Sequence, residues 1–157
     1  MIHHEDVLTN FVRAALDVQG SALFKNSYWF DSHGKSCDIL ENGRLSCAII
    51  ISRLLLWFRP YGSPLCLMPH GTVEGLLKDL ETCGWYDIAL KERRSGSIVV
   101  WEKVRGNIHV GIGINDMSVL SNCRSRRIPV LHPWTMETDL KTPRKIERIL
   151  WHDAFNE

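Results

Sequence analysis

Apolar positions recur at helical spacing in the first segment of the chain. Val7, Phe11, Ala14, Ala15 and Val18 share one face over residues 5–18 and predict an amphipathic helix that Gly20 ends. Residues 46–58 are apolar on nearly every face, broken only by Ser52 and Arg53, and predict a central buried helix stopped by Pro60. Thr72 then suits an N-cap, and Val73, Leu76, Leu77 and Leu80 form the buried face of a third helix, with Gly84 just past its end. After Gly84 the period changes from helical to extended. Candidate strands cover 86–90, 97–102, 109–114, 119–122 and 128–131, and the short Gly-, Asn- and Arg-containing links between them predict antiparallel neighbours. Thr142-Pro143 reads as the N-cap and first turn of a closing helix over 142–157, with Ile146, Ile149, Leu150 and Ala154 on its apolar face. Helices first, a strand meander next and a helix last predict the α+β class, in one domain spanning residues 1–157.

Residues 21–44 fit neither period. They are rich in turn formers (Asn26, Ser27, Asp31, Ser32, Gly34, Asn42, Gly43) and read as a long loop anchored by Leu23-Phe24 and Tyr28-Trp29-Phe30. A net charge of +1 leaves no electrostatic footprint for nucleic acid or an anionic membrane, and Arg124, Arg126 and Arg127 read as a solvated turn. Five cysteines at irregular spacing, without a C-x-x-C pair, argue against a zinc ribbon or a disulfide framework and suggest a reducing compartment. No H-E-x-x-H or comparable ligand spacing occurs, so neither a metal nor a cofactor is expected. The run 48–58 is too short and polar to span a bilayer, and His3-His4 lies in a start with no visible secretory leader.

Two residues stand where chemistry is easy. Cys47 lies at the start of the buried helix, directly after the turn-rich loop. Partial positive charge there favours a thiolate, and the unpaired first N–H groups can hold an oxyanion. The alternative is a small core residue, since free cysteine is among the most buried types. His109 opens the strand His109-Val110-Gly111-Ile112-Gly113-Ile114, where a sheet could hold its ring rigidly as a general base. Gly111 and Gly113 would permit close approach on that strand, or mark a bulge.

The stretch Gly96-Ser97-Ile98-Val99-Val100-Trp101-Glu102, followed by the strand of His109, resembles the NlpC-type cell-wall peptidases. These commonly carry a G-D-I-V-F-W strand, then H-V-G-I-Y-I-G, downstream of a D-C-S-G helix start. Leu45-Ser46-Cys47-Ala48 stands at the matching place, with Ser46 where the family has Asp and Ala48-Ile49 where it has Ser-Gly. Residues 60–96 would then be an insertion with its own helix. The resemblance covers roughly residues 20–135. It implies a papain-like fold and cleavage of amide bonds in peptidoglycan stem peptides, with Cys47 as nucleophile, His109 as base and no cofactor. The partner would be a peptide or peptidoglycan fragment. The third position, often His in the family, falls on Ser121 within Val119-Leu120-Ser121-Asn122-Cys123; Asn122 and His132 are the alternatives. Tyr28 resembles a tyrosine that helps bind the substrate amine, and Ser46 is its companion in substrate binding. The rival reading is a non-catalytic binding module on the same scaffold.

Overall fold

Helix α1 (Val7–Asp17) starts where the Asp6 carboxylate accepts the Thr9 amide at 2.9 Å, and it buries Val7, Phe11 and Ala15. The computed structural model describes residues 5–60, 63–135 and 143–156. The second helix, α2 (Cys47–Leu56), buries seven of its ten residues, as its all-round apolar sequence requires. Its one buried hydroxyl is satisfied twice: Ser52 Oγ donates to the Ala48 carbonyl and accepts the His70 amide, each at 2.9 Å. Helix α3 (Val73–Thr82) is capped by Thr72, whose hydroxyl accepts the Gly75 amide.

Between α1 and α2 the chain is not a plain loop. Strands β1 (Tyr28–Phe30) and β2 (Ser36–Asp38) form a small antiparallel hairpin. The remaining strands are β3 (Tyr86–Asp87), β4 (Ile98–Val104), β5 (Asn107–Gly113), β6 (Ser118–Cys123), β7 (Ile128–Pro133) and β8 (Ile146–Trp151). They form an antiparallel sheet in the order β3-β8-β4-β5-β6-β7. The α+β class therefore stands, and the meander β4–β7 follows the predicted strands to within a few residues.

The closing helix expected over 142–157 is not there. Residues 146–151 are strand β8, which slots between β3 and β4, and Asp153–Phe155 form one 3-10 turn. Ile149 faces one side of the sheet and Leu150 the other, so both are buried. A strand covered on both faces is apolar without alternation, and over six residues it mimics a helix face. Thr142, the expected cap, lies outside the described residues, as do His3 and His4.

The main core lies between the helices and one face of the sheet, where Ile98, Val100, Val110, Ile112, Leu120 and Leu150 meet α1, α2 and α3. A second, smaller cluster of Val99, Trp101, Val119, Trp134 and Ile149 covers the opposite face. Gly111 marks where that cluster closes on the strands. A Cβ there would sit 2.9 Å from both the Leu120 carbonyl and the Trp101 ring, so close approach is the reason for glycine. Among the described residues no helix is long and apolar enough to cross a membrane.

Candidate active site

The turn that delivers Cys47 is held by one carboxylate. Asp38 accepts the amides of Ser27, Leu40 and Asn42 and the side chain of Asn26 at 2.7–3.1 Å. Partial burial pushes its pKa up, but these donors outweigh that and hold it at about 2. Gly43 follows with φ +88°, and a Cβ there would run into the Arg127 carbonyl at 2.5 Å. Asn122 completes the clamp: its Nδ2 donates to the Gly43 carbonyl at 2.8 Å. Thus β6 and the loop after it fix the segment from which α2 starts.

Cys47 is the first residue of α2, half-buried, and lines a cleft of about 1080 Å³ together with His109. Burial pushes its thiol above the ordinary range. The backbone N–H groups of Val110, Ala48 and Cys47 itself, and the charge of Arg144, act in the opposite direction without reversing it. Burial thus favours the thiol over the thiolate, and the helix start alone does not reverse that. Val110 is the residue next to His109, so the sulfur lies against the strand that carries the imidazole.

His109 stands over the Trp101 ring, with centroids 5.5 Å apart, and its Nε2 lies 3.0 Å from Ser121 Oγ. Ser121 Oγ lies 2.6 Å from His132 Nε2, and His132 Nδ1 lies 2.7 Å from the Pro133 carbonyl. A carbonyl can only accept, which fixes every proton along this chain when both rings are neutral. His132 Nδ1–H donates to Pro133 O, so His132 Nε2 is the acceptor for the Ser121 hydroxyl. Ser121 Oγ then accepts from His109 Nε2–H, which leaves Nδ1 as the basic nitrogen of His109. Ser121 and His132 are buried, at 4% exposure each, behind the imidazole.

The three alternatives for the third position separate. Ser121 contacts His109 directly, His132 backs Ser121, and the Asn122 amide serves the Gly43 clamp instead. The substrate-binding pair fares differently. Tyr28 is 69% exposed on the β1–β2 hairpin and does not line the cleft, and Ser46 is buried with its Oγ unbonded. Arg124 and Arg127, read as a solvated turn, do line it.

Two groups escaped the sequence reading. Arg144 is buried in the cleft wall, within the segment expected to form the closing helix. The second is Cys66, His70 and Asp79, whose ligand-type atoms all lie within 4.8 Å of one another and could in principle take a metal ion. Their present arrangement is already satisfied. Asp79 accepts the Leu67 and Met68 amides, lies 2.5 Å from His70 Nε2, and bonds the Cys66 thiol. Burial first, and then Asp79, raise Cys66 to about 12. The carboxylate's lone pairs are thus spent on N–H and S–H donors. C-x3-H-x8-D is not a standard ligand spacing, which is why the pattern passed unnoticed.

No protein-family model matches the chain, and no curated protein matches it.

Proposed function

We propose that the chain is a papain-like cysteine hydrolase of the NlpC type that cleaves amide bonds in peptidoglycan stem peptides. The observation that supports this reading is the chain His109–Ser121–His132–Pro133, which holds the imidazole beside the cleft that Cys47 also lines. A thiol raised by burial needs such a base. In this mechanism His109 Nδ1 takes the Cys47 proton as the sulfur attacks the amide carbon. The carbonyl electron pair moves to oxygen, where the N–H of Cys47 at the start of α2 meets it. The C–N bond then breaks, and the amine leaves with the proton held by His109. Water, deprotonated by the same nitrogen, cleaves the thioester and restores the thiol.

The test is incubation of the purified chain with the stem tetrapeptide L-Ala-γ-D-Glu-L-Lys-D-Ala, read by mass spectrometry, with hydroxylamine added to trap the thioester as a hydroxamate. Shortened peptides and a hydroxamate are expected; an intact peptide after prolonged incubation rejects the reading.

Ser121→Ala removes the acceptor for His109 Nε2–H and is expected to lower kcat about ten- to a hundred-fold with little change in KM. Ser121→Thr keeps the hydroxyl and restores most of the rate. Equal kcat in wild type and Ser121→Ala would show that the relay is ornamental.

The second reading, a binding module on the same scaffold, is favoured by the raised Cys47 thiol. It predicts binding of the same peptide without turnover.

A further inference from the structure

Arg144 is 8% exposed, yet it lines the cleft that holds Cys47 and His109. Its guanidinium is immobilised by carbonyls from the two strands that form the cleft wall. Nε donates to Glu102 O at 2.8 Å and Nη2 to Asn107 O at 2.5 Å. Its own amide donates to Thr135 O at 2.8 Å, which fixes the backbone beneath it. Among the described residues no carboxylate comes within ion-pair distance of it.

Glu102 and Glu147 act on this cation only from beyond ion-pair distance, so no carboxylate among the described residues occupies its free arm, and a rigid fork with one arm not engaged by carbonyls suits a planar oxyanion. The surroundings favour the same ligand. Among the described residues Arg105, Arg124 and Arg127 also line the cleft, with Arg44 paired to Glu41, against Glu74 and Glu102. The whole chain carries a net charge of +1, so this excess is local.

We propose that Arg144 is the anion-recognition residue of the cleft, selecting ligands with a free carboxylate next to the amide that faces Cys47. This rests on the hydrolase reading for the identity of that amide, but not for the binding preference. Arg144 acts as a specificity residue, pairing the carboxylate through Nη1 while Nε and Nη2 stay on the backbone. An arginine so held discriminates sharply against a carboxamide, whose NH2 group would point a donor at a donor.

The experiment uses two peptides, Ala-γ-D-Glu-Lys with its Glu α-carboxylate free and the same peptide with that group as the carboxamide, both C-terminally amidated. Binding is measured by calorimetry to the full chain carrying Cys47→Ala, so that neither peptide is consumed. The carboxylate peptide is expected to bind at least about ten-fold tighter. Adding Arg144→Gln removes the difference by weakening the carboxylate peptide alone, and Arg144→Lys keeps part of it. Equal binding of the two peptides, no binding of either, or a preference that survives Arg144→Gln overturns the proposal. Should Arg144→Gln fail to fold, the peptide pair on the Arg144-containing protein and on Arg144→Lys still decides. If wild type cleaves neither peptide while the preference holds, the hydrolase reading falls and this one stands. Cleavage of both at equal rates has the opposite consequence.

Discussion

Cys47→Ala is expected to lower kcat for stem-peptide cleavage by about four orders of magnitude or more, with the fold retained. The reason is that Cys47 is the one thiol among the described residues lining the cleft, and the hydroxyls there are engaged elsewhere, Thr72 in the cap of α3 and Ser125 with Cys123. His109 holds its basic nitrogen for the thiol proton, and the arginines are fixed cations. Cys47→Ser is expected to fail almost as completely, since the same imidazole must then deprotonate a far weaker acid. The stability cost is small. Cys47 is half-buried, and losing one sulfur atom at the cleft wall costs about 1 kcal/mol. Product formation measured by chromatography, alongside thermal melting, separates the two effects. Digestion by Cys47→Ala at the wild-type rate would end the mechanism.

The pH behaviour of that sulfur has a definite sign. Burial raises the Cys47 thiol, so less thiolate is present at pH 7 than on a free cysteine. Iodoacetamide labelling at Cys47, followed by peptide mapping, should therefore lag behind the exposed Cys37 near neutrality and climb at higher pH. Cys66 and Cys83, raised to about 12 and about 11 by burial and then by Asp79, should lag as well.

Helices α1 and α3 were legible because each shows a single face to a single core, and one-sided burial leaves a period in the sequence; α2 was legible as an apolar run long enough for a helix, and β4–β7 as short apolar runs set apart by turn residues. Val73, Leu76 and Leu80 are an instance of that period. Strand β8 was not legible, because its end is buried on both faces, which leaves no strand period, and the preceding Thr142-Pro143 reads as a helix start. The β1–β2 hairpin escaped for the opposite reason: Tyr28, Trp29 and Phe30 are all exposed, so no buried face marks it. At the site, Cys47 and His109 were readable as a helix start and a strand start that share a cleft. The direction of the Cys47 shift was not, since it depends on how much protein surrounds the sulfur. Nor was the order Ser121 then His132 behind His109. That order is set by the β5–β6–β7 register, in which Gly111 faces Ser121 and Val119 faces His132. Arg144 was invisible for the same reason as β8: once 142–157 is taken as a helix, its arginines fall on the solvent side.

Asp79→Ala is expected to destabilise the protein by about 3 kcal/mol, lowering the melting midpoint by roughly 6–12 °C. The Asp79 side chain is 5% exposed and gathers donors from a segment with little secondary structure of its own. The Leu67 and Met68 amides and the His70 ring all end on it. Removing it leaves those part-buried amides without this partner, each at a cost of about 1 kcal/mol. The effect reaches the cleft as well. The His70 amide is bonded to Ser52 in α2, and His70 runs directly into Gly71, Thr72 and Val73, which form one wall. Loosening that loop should therefore raise KM in addition to lowering stability. Burial pushes the Asp79 carboxyl up, but the His70, Cys66, Leu67 and Met68 hydrogen bonds prevail and its pKa is lowered. A carboxylate with a depressed folded-state pKa stabilises fully above its unfolded value, near pH 4. That stability drains away as pH falls through the folded value. Melting curves of wild type and Asp79→Ala should thus lie far apart at pH 7 and converge below pH 4. A gap that is unchanged in acid would show that Asp79 contributes packing and no charge.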